Sequence, residues 1–194
     1  MEEQELTSRY CSLFEETLPI LTTIYNGFAG QKLNLLKESR AKFRAVLMNR
    51  LPAVDKLVED KDKNEVEKSF VGALPHLQRV ALAIDNLIDK MEVKIETRTL
   101  FSQKALDEIK QFMVAVGAEF TDVKDYCMTK NPILKEQIRV DVEKIRKMID
   151  EFEMIHQNRL ITGVCMPQAS YLYIDMTDSL KRMAKELAVF ADKI

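Results

Sequence analysis

The chain has 194 residues, 46% of them apolar and 31% charged, enough for one large domain or two small ones with a proper core. Five glycines and five prolines are too few for a chain that reverses direction every few residues, which argues against a β-sandwich or β-barrel. Lysine and arginine number 29 against 31 acidic residues, and neither half is basic, so a phosphate-backbone footprint for nucleic acid is not expected.

Apolar spacing predicts six helices, each of roughly 20–30 residues. The first covers the pattern from Tyr10 to Phe28 and carries Pro19 in its interior. The second runs from Leu33 to Val58 with Pro52 inside it, after a break at 26–31 and before one at 59–64. In the third, Val66, Phe70, Ala73, Leu77, Val80, Ile84, Leu87 and Met91 alternate by four and three, the seam of a helix packed in a bundle, with Pro75 inside. A break near 96–101 precedes the fourth seam, Leu106, Ile109, Met113, Val116, Phe120, Val123 and Cys127. Asn131 and Pro132 read as the N-cap and first residue of the fifth helix, whose seam is Ile138, Val142, Ile145, Ile149 and Phe152. After a break at 163–167, the sixth seam is Tyr173, Met176, Leu180, Met183, Leu187, Phe190 and Ile194. Each interior proline removes a backbone hydrogen bond and is expected to bend its helix around the core.

A shift of 103 residues lays the third seam on the sixth without a gap, Phe70 on Tyr173 through Met91 on Ile194. Off the seam it also matches Arg79 with Arg182, Ala81 with Ala184, and Asp89 and Lys90 with Asp192 and Lys193. The expected fold is therefore all-α: two three-helix repeats, about 1–97 and 98–194, forming one elongated bundle and a single domain.

Residues 1–9 are acidic and lack the basic and apolar regions of a signal peptide. The uncharged runs 17–31 and 160–174 each contain proline and glycine, and both fall short of the ~20 residues that span a bilayer. Cys11, Cys127 and Cys165 are odd in number and widely spaced, neither a disulfide framework nor a zinc pattern. A reducing cytoplasm and a chain that does not span a membrane are expected.

The most specific stretch lies at the end of the fifth helix. Four and then three residues beyond Phe152, the seam turns polar at His156 and Arg159, which need partners or water. The bland reading is that the bundle opens to solvent here; the functional one is a partner or anion site. Lys181, Arg182 and Lys185 make a small basic face suited to an acidic partner or phosphate, or simply a wet helix surface. Asp85 with Asp89, and Glu119 with Asp122 and Asp125, are acidic groupings that would meet a divalent ion only if two helices brought them together; a wet face is the alternative. Glu153 and His156 have di-iron spacing, but such bundles need two of these motifs. No phosphate loop or Ser–His–Asp order supports catalysis, and Cys127 on a core seam reads as inert.

The run His156, Arg159, Leu160, Gly163, Cys165, followed by Leu180 and Arg182, resembles the second half of PhoU-type domains. There a His-x-x-Arg-Leu stretch and a Gly-x-Cys precede a helix with Leu-Glu-Arg-x-x-Asp. Leu77, Gln78, Arg79 and Val80 are a weaker echo in the first half. Clear motif similarity covers about 40 residues, and the rest of the likeness is architecture. The resemblance implies two three-helix repeats and a regulatory protein, not an enzyme, that modulates phosphate transport or signalling. Its partner would be a phosphate transporter or sensor kinase at the cytoplasmic membrane face. Dimerisation is common in the family and stays open for this chain. His156, Arg159, Arg79 and Arg182 are the expected partner- or anion-binding residues. The family's metal-holding Glu and Asp positions fall on Gln78 and Leu82 and on Lys181 and Lys185, which do not ligate a cation, so no metal or other cofactor is expected. A metal-binding bundle protein or enzyme using the acidic faces, and a generic helical scaffold, are the alternatives.

Overall fold

The structure, a computed structural model, describes residues 3–50, 65–163 and 166–194. It is an all-α bundle of α1 (Glu3–Ala29), α2 (Leu33–Arg50), α3 (Glu65–Glu96), α4 (Gln103–Thr129), α5 (Pro132–Ile161) and α6 (Pro167–Lys193), with no strand among the described residues. Pro52, the residues 51–58 expected to extend the second helix, the break at 59–64 and Cys165 lie outside the described residues.

Local chemistry sets the helix ends. Ser102 caps α4, its Oγ accepting from Ala105 N, and Asn131 caps α5, its Oδ1 accepting from Ile133 N ahead of Pro132. α1 and α3 close in the same way without a glycine. Gln31 and Arg98 take φ of 53°, and Lys32 N and Thr99 N reach back to the carbonyls of Gly27 and Lys94 at 2.8 and 3.0 Å. Pro19 and Pro75 lie inside α1 and α3, as expected. The Pro19 carbonyl accepts a bond from Thr23 Oγ1 at 2.8 Å.

The seams form the core. Phe70 through Met91 on α3, Ile109 through Cys127 on α4 and Tyr173 through Phe190 on α6 are buried at every seam position. Val142, Phe152, Leu106 and Ile194 pack against this core from its margin. Tyr10 of α1 stacks on Phe70 with ring centroids 5.0 Å apart, and Phe14 meets both Phe120 and Phe190 edge-on. Burial of each such side chain stabilises the fold by about 1.5–3 kcal/mol.

Within α1–α3 each helix touches the other two, and the same holds for α4–α6. Between the sets, α1 packs on α4 and α3 on α6, the latter being the most extensive pairing. The contacts His76–Glu186, Asn86–Ser179 and Lys90–Asp175 show that α3 and α6 run antiparallel. Polar ties reinforce the frame. Arg40 and Arg44 of α2 hold Asp85 of α3, Arg40 also reaches Glu92, and Arg50 Nε meets Glu16 of α1 at 2.9 Å. No helix among the described residues is long and apolar enough to cross a membrane.

Candidate functional site

The polar end of α5 folds inward. His156 is 2% exposed, so the bundle does not open to solvent at this residue. α6 begins beside it, and His156 Nε2 lies 2.6 Å from Ser170 Oγ while its ring stacks on Tyr173 at 4.4 Å between centroids. Arg159, one turn further on, sends Nη2 to Glu108 Oε2 of α4 at 2.8 Å, and Tyr173 donates its hydroxyl to the same oxygen at 2.8 Å. Three helices thus contribute to one buried cluster. It leaves Glu108 Oε1 and Arg159 Nε and Nη1 buried without a partner among the described residues.

The charges fix the histidine's state. A guanidinium only donates, so Nδ1, 3.4 Å from Arg159 Nη2, is the accepting nitrogen and Nε2 carries the proton toward Ser170. Burial, then the adjacent Arg159, lowers the His156 pKa below its ordinary value, with Glu108 acting the other way, and the ring is neutral at pH 7. Burial and the hydrogen bond to Glu108 raise the Tyr173 pKa. A nucleophilic serine needs the reverse arrangement, with Nε2 accepting its proton and an acid on Nδ1. Here a cation faces Nδ1, so the Ser170–His156 pair is not set up as a catalytic base and nucleophile.

A cleft of about 290 Å³ lies against this cluster, lined by His156 and Tyr173 together with Leu100, Phe101 and Met166. Of these, Leu100 and Met166 are exposed, and Ile161 and Tyr171 are also exposed within the uncharged run. Leu172, Tyr173, Ala169 and Ser170 of that run are buried, so only part of it is surface.

The other two expected residues lie elsewhere, on the α3 and α6 pair. Arg79 Nη1 stands 3.2 Å from His76 Nδ1 and 3.4 Å from Glu186 Oε2, with its side chain half exposed. His76 Nδ1 itself lies 2.7 Å from Glu186 Oε2. Arg182 is exposed and forms no ion pair or hydrogen bond with the described residues, and Lys185 is exposed beside it. Lys181, the third member of the basic face, is tied to Asp150 of α5. The structure therefore brings His156 and Arg159 together as interior residues, while Arg79 and Arg182 remain on the surface.

The acidic groupings resolve differently. Asp85 is taken by Arg40 and Arg44, and Asp89 by Lys90. Glu153 accepts from Thr177. Glu119 is buried, and α5 brings Asp141 toward it and Asp122. Among the described residues no three His, Cys, Asp or Glu side chains converge closely enough to hold a metal ion. Burial, then neighbouring Cys11, pushes the Cys127 thiol up to about 12, which keeps it protonated and unreactive.

Glu108, Ser170, Glu186 and the burial of Glu119 were not singled out from sequence as site features. The two α4 glutamates had a signal. Ala105, Glu108, Phe112 and Val116, Glu119, Val123 are spaced by three and four, so each glutamate interrupts an apolar line. Glu186 had none, because its partner His76 is 110 positions away. No family model matches the chain, and no curated protein or solved structure matches it.

Proposed function

We propose that this chain is a PhoU-like regulatory protein that modulates phosphate transport or phosphate signalling by binding a protein partner. The observation that carries this reading is how the helices pair. α1 packs on α4 and α3 on α6, helices of equal rank in the two sets of three. The antiparallel contacts 76–186, 86–179 and 90–175 centre near Ala81 and Ala184, which are themselves matched by the 103-residue shift. An approximate two-fold relation between repeated units requires such a centre. The partner, a transporter or sensor kinase at the cytoplasmic membrane face, would meet Arg182 and the half-exposed Arg79; His156 and Arg159 act from within by holding α5 and α6 in place.

Deletion of the gene in its source cell, with phosphate uptake measured in replete and starved cultures, tests this function. Uptake is expected to stay high when phosphate is plentiful, and wild-type protein but not the Arg79→Ala/Arg182→Ala variant should restore control. Unchanged uptake and unchanged starvation signalling in the deletion overturn the reading.

A further inference from the structure

We propose that Glu119 is a proton-operated latch on the α4–α5 seam: protonated, it lets α5 close against α4 beside Asp122 and Asp141, and its ionisation releases that seam. The side chain is 1% exposed, and both carboxyl oxygens are buried with no hydrogen-bond partner among the described residues. A buried carboxylate with no donor is far costlier than a buried neutral acid.

The surroundings deepen that preference. The charged groups acting on Glu119 among the described residues are Asp122, one turn along its own helix, and Asp141 from α5. On α5, Lys144 is bonded to Asp141 Oδ1 at 2.7 Å, and Gln137 holds Asp141 Oδ2 at 2.6 Å. α1 and α6 also pack on α4 but bring no charge to bear on Glu119; Phe14 from α1 covers the adjacent Phe120 and itself packs on Phe190 of α6. Burial first, and the two carboxylates next, push the Glu119 pKa up to about 8. Burial, then Asp141 and Asp125, raise Asp122 as well. At neutral pH the closed seam therefore holds a proton that an opened, hydrated Glu119 would release.

This sets both the direction and the window of the response. Between the ordinary carboxyl value of 4.5 and about 8, closing binds a proton, so each unit of rising pH favours opening about tenfold. Above about 8 Glu119 is ionised in both forms and the response levels off. α5 buries Ile138, Ile145 and Ile149 on this side of the bundle, and its far end carries Arg159 against Glu108. Opening would thus bare an apolar stripe and loosen the end of α5 that the His156 cluster holds. The latch goes beyond the proposed function and stands or falls without it.

Hydrogen exchange of the full chain, read on peptides from α5 across about pH 5.5–9 and corrected for intrinsic exchange, tests the latch. Wild-type protection is expected to fall about tenfold per pH unit and level off near 8, whereas the near-isosteric Glu119→Gln chain should give a flat profile. Asp141→Asn keeps Glu119 but removes one repelling charge, so its profile should level off at lower pH. Infrared spectra in heavy water should show a protonated-carboxyl band near neutral pH that Glu119→Gln lacks. A flat wild-type profile, a Glu119→Gln profile with the wild-type slope, or an Asp141→Asn profile that levels off where the wild type does overturns the proposal. Should Glu119→Gln fail to fold, the Asp141→Asn shift and the infrared band of the wild type decide it.

Discussion

Arg159 at the end of α5 donates to Glu108 of α4 across 2.8 Å, and both side chains are largely withdrawn from water, 14% and 3% exposed. Removing either partner strands the other. Glu108→Ala or Arg159→Met alone should cost about 3–5 kcal/mol, read from urea unfolding followed by circular dichroism. The double variant Glu108→Met/Arg159→Met should recover a large part of that loss, because an apolar pair leaves no buried charge unmatched. A double variant as unstable as the sum of the singles would show that the two residues act independently.

His156 gives the cluster an acid sensitivity. Its pKa in the fold is depressed, by burial first and then by Arg159, while the unfolded chain protonates near 6.5. The unfolded state therefore binds the proton more readily, so stability is full above about 6.5 and is lost as pH falls toward the lower folded value. His156→Gln should lower stability at pH 8 but flatten the decline as pH falls below about 6.5. Thermal unfolding across that range checks it, and an unchanged acid slope in the variant would assign the sensitivity to other groups.

Surface and interior arginines should separate cleanly. Arg182→Ala removes an exposed side chain with no partner among the described residues and should leave stability within about 0.5 kcal/mol of wild type. Arg159→Ala should lower the melting temperature markedly. Equal effects of the two on thermal unfolding would contradict the placement of Arg159 inside the bundle.

Glycine substitutions should differ in sign. A Cβ on Gly27 would lie 3.0 Å from Leu36 Cδ2 and 3.4 Å from its backbone nitrogen, where α2 turns back on α1. Leu36 is fully buried and has little room to yield, so Gly27→Ala should cost about 1–3 kcal/mol. Gly72 and Gly117 sit in helices with nothing within 4 Å of an added Cβ, and alanine there should stabilise by about 0.5–1 kcal/mol. Chemical denaturation of the three single variants compares them directly.

On the proposed PhoU-like reading, metal content follows from side-chain chemistry at the positions that would correspond to that family's ion-holding residues. Gln78 and Leu82, and Lys181 and Lys185, offer no pair of hard oxygen ligands, and Lys181 is engaged with Asp150. Protein incubated with iron, manganese and zinc and then dialysed should retain less than about a tenth of an equivalent of each. A full equivalent, lost on changing Asp122 or Asp141, would bring a metal-dependent role forward.

The helices were legible in the residues themselves. Three-and-four spacing of apolar side chains and Asn131 before Pro132 act over one or two turns, so the chain carries them locally. The seams from Phe70 to Met91 and from Tyr173 to Phe190 are buried as their spacing implies. The change from apolar to polar at His156 and Arg159 was also visible, but not what it meant. A polar residue on a buried line is either wet or partnered, and its partners here, Glu108 and Ser170, stand 51 and 14 positions away.

Only the packing of helices decided those partners. It withdrew most of Arg159 from water and left Arg182 exposed, although both are arginines on helices with apolar seams. It set Glu186 beside His76 and gave Glu119 two carboxylates and, among the described residues, no donor. Helix formation depends on neighbours three and four residues apart, whereas burial, hydrogen bonding and ionisation depend on which other helix arrives opposite, and sequence spacing does not carry that distance.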